Sequence, residues 1–162
     1  MRLVFLDIDG VLNKGLIASA SPAEDIIRSE FGWMNRSLVA NFNALVALTG
    51  AKIVISSSWR CQTLAKTREV LRAFDVSGEI IGQTPELGSG FVRGHEIQAW
   101  IDENAVILGA TTGEAFTSYV ILDDSAVMLP HQQPHYVKTD PFVGLSVEMQ
   151  EKAAALLCRL DG

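Results

Sequence analysis

Three short runs along the chain are apolar without interruption: Leu3-Val4-Phe5-Leu6, Ile53-Val54-Ile55 and Tyr119-Val120-Ile121-Leu122. A run of this length without polar alternation predicts a strand covered on both faces, as in a parallel sheet. Glu79–Gly82 and His135–Thr139 predict two shorter strands. Between these runs the spacing of apolar positions becomes helical. Asn35 reads as the cap of a long helix with Leu38, Phe42, Leu45, Val46 and Leu48 on one face, ended by Gly50. A second helix is predicted from about Cys61 to Phe74, buried through Leu64, Val70, Leu71 and Phe74. A third runs from Arg93 to Ile101, with Ile97, Trp100 and Ile101 inward, and a closing one covers Ser146 to Leu160. Ser21-Pro22-Ala23-Glu24 resembles an N-cap and first turn, so a short helix is expected to about Glu30, before a break at Phe31-Gly32-Trp33. Residues 83–92 read as loop from their Pro and Gly content, and 104–117 as a hairpin or loop insertion. Alternating strands and helices predict an α/β fold.

The apolar runs end in polar residues. The first ends in Asp7-Ile8-Asp9-Gly10, the second in Ser56-Ser57-Ser58-Trp59-Arg60, and the third in Asp123-Asp124-Ser125. Open parallel sheets bind ligands at the carboxyl ends of their strands, so these are the candidate chemical groups. Asp7 and Asp9 point to one side if strand geometry persists through them, and Gly10 permits a sharp turn directly afterwards. Carboxylates crowded at one strand end repel each other unless a proton or cation intervenes, and a hard divalent ion such as Mg²⁺ suits oxygen ligands. Ser56 and Ser57, at a strand end before a helix, suit a phosphate, although a serine N-cap cluster explains them equally well.

Other residues carry two readings each. Arg60 suits a distal phosphate or a solvated helix start. Trp59 suits stacking on a substrate ring or packing, and the usual burial of tryptophan favours packing. Cys61 has no histidine motif beside it to act as a base and reads as packing. His95 reads as a surface residue, and Asp140 as part of a Thr-Asp-Pro turn.

Length and composition narrow the picture. The 162 residues suit one domain, spanning 1–162, and can bury a sizeable core. No run approaches the length of a membrane span, and Asp7 and Asp9 interrupt the first apolar run too early for a secretion signal. The two cysteines, Cys61 and Cys158, form no disulfide framework or zinc cluster, so a reducing, cytoplasmic setting is expected. Net charge is −6, from 13 basic and 19 acidic residues; setting aside Asp7, Asp9, Asp123 and Asp124 leaves 15 acidic, close to balance. This leaves a nucleic-acid substrate open without pointing to it. Neither charge nor pattern assigns an oligomeric state.

The order of these features resembles the haloacid dehalogenase (HAD) superfamily: a strand ending in Asp-x-Asp-Gly, a strand ending in Ser, an Arg at a helix start, and a strand ending in Asp-Asp. In detail FLDIDGVLN, AKIVISSSWR, RGHEIQAWI, YVILDDS and TDPFVGL resemble the HAD-type domain of Swiss-army-knife RNA-repair proteins. The resemblance implies a three-layer Rossmann-like fold with a central parallel sheet in the order 5-4-1-2-3. Only about twenty residues separate the first strand from the long helix, which leaves no room for a large cap domain but enough for a small flap. The resemblance further implies an Mg²⁺-dependent phosphatase with a phosphorylated substrate. Asp7 is its nucleophile and Asp9 its general acid/base, while Ser56 and Arg93 hold the phosphoryl oxygens. The implied metal ligands are Asp7, the Asp9 main-chain carbonyl and Asp123, with Asp124 ordering a metal-bound water or pairing with Arg93. Neighbouring strand residues point opposite ways, so Asp123 and Asp124 cannot share one role. A phospho-accepting receiver domain would need an aspartate at the third strand, which has none. A catalytically idle binding module on the HAD scaffold is the remaining rival, though every expected polar group is present.

Overall fold

Leu3–Leu6 forms the central strand, β1, and all four residues are buried. The structure is a computed structural model and describes residues 1–15, 21–109, 116 and 118–159. A four-residue strand can be apolar throughout only if both sheet faces are covered. Val4 and Leu6 face one core, with Phe42, Leu45, Phe74 and Leu157. Leu3 and Phe5 face a second, with Ile97, Trp100, Tyr119 and Ile121. The chain then forms a hairpin, β2 (Ile26–Ser29) and β3 (Gly32–Asn35), followed by helix α1 (Arg36–Thr49). Strand β4 (Lys52–Ile55), helix α2 (Leu64–Arg72), strand β5 (Ile80–Gln83) and helix α3 (Arg93–Glu103) come next. Strands β6 (Tyr119–Asp123) and β7 (Tyr136–Lys138) and helix α4 (Val147–Arg159) complete the order.

The main sheet runs β5-β4-β1-β6-β7 and every pairing in it is parallel. Counted among the parallel strands alone, this is the expected 5-4-1-2-3. Residues of α1, α2 and α4 pack in the first core and those of α3 in the second, giving the three layers. Among the described residues no large cap domain appears.

Several local expectations are corrected. The segment expected as a helix to Glu30 makes only one 3-10 turn, Ala23–Asp25, and then enters β2. Ile26 and Ile27 are β-branched and pair with Asn35 and Met34 across a tight turn, so cross-strand packing wins over the local helix-start signal. Asn35 occupies the N-cap position of α1 but makes no capping bond with its side chain. That role falls to Asp25, whose carboxylate accepts from the Ser37 amide at 2.8 Å and from Asn35 Nδ2 at 2.9 Å. Leu48 is 68% exposed, because the inward stripe of α1 continues through Val46 to Thr49. Helix α2 starts at Leu64, capped by the Thr63 side chain, so neither Ser56 nor Cys61 stands at a helix N-terminus. Residues 104–109 form hydrogen-bonded turns after α3, with Leu108 N donating to Asn104 O at 3.0 Å, whereas 110–115 and 117 of the expected insertion lie outside the described residues.

Candidate active site

The register of the three central strands builds the site. Leu6 is level with Ile55 on one side and Leu122 on the other. The next rung therefore carries Asp7, Ser56 and Asp123 side by side. The ladder continues that far: the Asp7 amide donates to Leu122 O and the Ser56 amide to Leu6 O, both at 2.9 Å. Beyond Asp7 the strand gives way to one helical turn, in which the amides of Val11 and Leu12 both donate to Ile8 O. Asp9 consequently leaves the face that Asp7 occupies. Gly10 at the turn has φ +73°, and an added Cβ would lie 2.5 Å from Asp124 Oδ2, so a side chain there would collide with the acidic group.

Asp7, Asp123 and Asp124 each offer a carboxylate oxygen, and these oxygens lie within 4.8 Å of one another. Asp9 is not in this group. It is exposed, and its two oxygens accept from Asn13 Nδ2 at 2.8 Å and Trp59 Nε1 at 3.0 Å. Its main-chain carbonyl, the ligand that the resemblance implies, is a separate matter from these side-chain bonds. Asp123 Oδ1 accepts from the amides of Ser125 and Ala126 at 3.0 and 2.8 Å. Its Oδ2 is buried without a hydrogen bond and forms an ion pair with Arg93 Nε at 3.8 Å, so Arg93 faces Asp123 and not Asp124, the partner that one of the two expectations gave it.

Arg93 is the first residue of α3, the helix before β6 in the described order, and the start of that helix is held by His95 Nδ1 accepting from the Val92 amide at 3.2 Å. Arg93 Nη1 donates to Glu96 Oε2 at 3.1 Å. Arg60 Nη1 donates to the same oxygen at 3.0 Å and to Thr84 Oγ1. The two arginines are thus joined through one half-buried carboxylate, and Arg60 is tied into the wall of the site. Ser58, Arg60, Phe91, Arg93, Glu96 and Ser125 line an open cleft beside it.

Ser56 and Ser57 are both fully buried. Ser56 Oγ has no hydrogen-bond partner, whereas Ser57 Oγ accepts from the Trp59 amide at 3.3 Å and its hydroxyl opposes the rise of the Asp7 pKa. Cys61 is half-buried and its Sγ lies 3.8 Å from Trp59 O, a packing role as expected. Asp140 Oδ1 accepts from the Phe142 amide at 2.8 Å, which is turn chemistry.

The cluster carries the electrostatic cost of its burial. Asp7 is raised to about 7, first by burial and then by the charge of Asp123. Asp123 is also raised by burial, opposed by the Ala126 and Ser125 amides and by Arg93. The folded state therefore holds the Asp7 proton more tightly than the unfolded chain does. The stability linked to this proton is full below pH 3.8 and is lost as pH rises through about 7. The loss is on the order of 4 kcal/mol. His135 is lowered by burial and loses stability in the opposite direction, as pH falls. Denaturation of the wild type and of Asp7→Asn in a chelator between pH 4 and 8 reports the Asp7 contribution together with its coupling to Asp123, since His135 titrates in both. The wild type is expected to lose stability relative to the mutant as pH rises; parallel curves would show that Asp7 is not raised.

Sequence reasoning did not single out three residues that the site uses. Asn13 and Glu96 fall inside two stretches that carry the resemblance, FLDIDGVLN and RGHEIQAWI, but the local pattern assigns neither a role, and Tyr136 reads only as strand. The Tyr136 hydroxyl is buried without a partner, and its pKa is raised by burial and by the charges of Asp123, Asp124 and Asp7. Asn13 and Glu96 bond to near neighbours, Asp9 and Arg93, but Trp59 and Arg60 join these pairs only through the fold, and Tyr136 meets the acids only in the tertiary structure. A family model described as the HAD domain in Swiss Army Knife RNA repair proteins matches residues 3–149. No curated protein matches the chain.

Proposed function

Because the chain belongs to the HAD domain family of Swiss Army Knife RNA repair proteins, we propose that it is an Mg²⁺-dependent phosphomonoesterase working through an aspartyl-phosphate on Asp7. The observation that carries this reading is a buried carboxylate at the end of the central strand, beside two buried donors that make no hydrogen bond within the protein, Ser56 Oγ and Arg93 Nε, the latter held only by its ion pair with Asp123. Buried donors without acceptors are costly, and a phosphoryl group supplies the missing acceptors.

The residues present fit a hard divalent cation. The donor set is all oxygen, three carboxylates converge, and Asp123 Oδ2 is buried without a hydrogen bond. Asp7 and Asp123 would hold the ion with the Asp9 carbonyl, and Asp124 would order its water. When bound, Mg²⁺ neutralises the carboxylates and a phosphoryl oxygen, so that an anionic nucleophile can approach an anionic ester.

In this reading Asp7 attacks phosphorus, the ester P–O bond breaks, and the leaving oxygen takes its proton from Asp9. Asp9 then takes a proton from water, whose oxygen attacks the aspartyl-phosphate, releasing phosphate and restoring Asp7. Ser56 and Arg93 donate to the phosphoryl oxygens as charge moves between them. On the family's likeness, the substrate is a phosphate on a nucleic-acid end or a nucleotide. Two free cysteines suit a reducing cytoplasm, and among the described residues no helix is long and apolar enough to cross a membrane.

The test is hydrolysis of p-nitrophenyl phosphate with and without Mg²⁺, followed by a screen of nucleotides and 3′- and 5′-phosphorylated oligonucleotides, sugar phosphates and phosphopeptides. Mg²⁺-dependent release of phosphate is expected; no turnover on any ester would leave a binding module on the same scaffold. A more specific expectation concerns Asp9→Asn. Attack needs Asp7 but water activation needs Asp9, so acid-quenched protein should retain phosphate on Asp7 while steady-state turnover falls roughly 10²–10⁴-fold. An unchanged steady-state rate would remove Asp9 from the mechanism.

A further inference from the structure

We propose that Trp59 is a positioning residue for Asp9, acting through its indole N–H; this rests on the reading of Asp9 as the acid/base of the phosphatase. Nε1 of Trp59 donates to Asp9 Oδ2 at 3.0 Å, and Asn13 Nδ2 donates to Asp9 Oδ1 at 2.8 Å. Each carboxylate oxygen thus receives one N–H and keeps a second lone pair for a proton. Two donors, one on each oxygen, set the plane of a carboxylate that is otherwise exposed on a one-turn loop. Without them Asp9 would be an ordinary mobile surface acid.

Both donors are themselves held. Asn13 is 2% exposed, and its Oδ1 accepts from the Gly10 amide at 3.0 Å. The Trp59 ring meets Phe74 edge-on at 5.7 Å. On the hairpin side it lies so close to Gly32 that a Cβ there would be 3.0 Å from Cη2. The Trp59 amide donates to Ser57 Oγ at 3.3 Å, and the Ser57 hydroxyl opposes the rise of the Asp7 pKa, so the loop that carries Trp59 reaches both carboxylates. A stacking role for this ring is not needed to explain its place: packing orients it, and its one polar atom is spent on Asp9. Misplacement of a catalytic group by about 1 Å costs on the order of 10²-fold.

The experiment uses the whole chain with Mg²⁺ and phenyl phosphate, whose leaving group needs a proton more than p-nitrophenolate does. Trp59→Phe keeps the ring and removes the N–H. It is expected to lower kcat by roughly 10–100-fold with little change in KM. In an Asp9→Asn background the same substitution should change nothing, because its effect passes through Asp9. An equal loss in both backgrounds would mean a structural role and would overturn the proposal, as would an unchanged kcat in the single variant.

A second measurement needs no turnover. The chain has three tryptophans, and their ¹⁵N-labelled indoles should give separate N–H signals. Asp9→Ala should move the Trp59 signal upfield and leave those of Trp33 and Trp100 in place. An unmoved Trp59 signal would show that the bond does not exist in solution, even if Trp59→Phe failed to fold. If the signal moves but the wild type hydrolyses no ester, the phosphatase reading has failed and the catalytic role of Trp59 fails with it; if the wild type turns over and Trp59→Phe is unaffected, only the role of Trp59 fails.

Discussion

Asp7→Asn is expected to lower turnover by roughly 10⁴-fold or more, the scale seen when a catalytic nucleophile is removed, while leaving the fold intact. Asparagine has the shape of aspartate and keeps one oxygen in its place. What it lacks is the negative charge that attacks phosphorus and helps to hold the cation. The other two carboxylates of the cluster cannot substitute. Asp123 Oδ1 is committed to two amides, and Asp124 sits against Gly10. The measurement is steady-state hydrolysis with Mg²⁺, with circular dichroism and a melting curve to establish that the mutant is folded. Substantial Mg²⁺-dependent turnover by the folded mutant would sink Asp7 as the nucleophile.

Mg²⁺ should raise the melting temperature of the wild type, and Asp123→Ala should remove most of that response. Three carboxylates meet on one edge only in the folded chain, so the ion binds the native state and not the dispersed aspartates of the unfolded one. At about 100 times its dissociation constant this contributes about 2.7 kcal/mol, or roughly 5–10 °C for a chain of this size. Asp123 is the more strategic of the adjacent pair. It is buried at the last position of β6, with one oxygen fixed by two amides and the other held only by its ion pair with Arg93, so its position is determined before any ion arrives. Asp124 is less buried and its Oδ1 accepts from the Ser125 hydroxyl at 3.1 Å. Asp124→Ala should therefore reduce the response less. Asp123→Ala also leaves the Ser125 and Ala126 amides without their acceptor, so its melting point falls even before Mg²⁺ is added. The decisive quantity is the dependence on Mg²⁺ concentration, not the starting point, and activity should vanish with it. Equal shifts in wild type and both mutants would place the ion elsewhere.

The parallel sheet could be read from the chain because its signal is local. A run such as Leu3–Leu6 has no polar position to offer to water, so it must be covered on both faces, and parallel strands are the arrangement that does this. The abrupt polar endings at Asp7, Ser56 and Asp123 mark one sheet edge, that of the candidate site, for the same reason: a carboxylate or hydroxyl directly after such a run stands where the covered strand emerges. The start of α3 at Arg93 and its inward face at Ile97, Trp100 and Ile101 followed from helical spacing.

Other features depended on which distant segments meet. The stretch after Ser21 carries a genuine helix-start pattern, yet Ile26 and Ile27 gain more by pairing with β3, and Asp25 turns from a first-turn acid into the cap of α1. Nothing local distinguishes those outcomes, since both satisfy the backbone. That Asp9 departs from Asp7 was likewise decided by the end of β1 at Leu6: alternation of side chains holds only while the strand continues. The bond from Trp59 to Asp9 spans 50 residues, and the bond from Arg60 to Glu96 spans 36. Such pairs arise from the register of β1 against β4 and the packing of α3 on the sheet. Hydrophobic pattern determines which faces are buried and where strands stop, whereas directional hydrogen bonds between polar side chains need coordinates fixed to within about half an ångström, and only the packed tertiary structure supplies them.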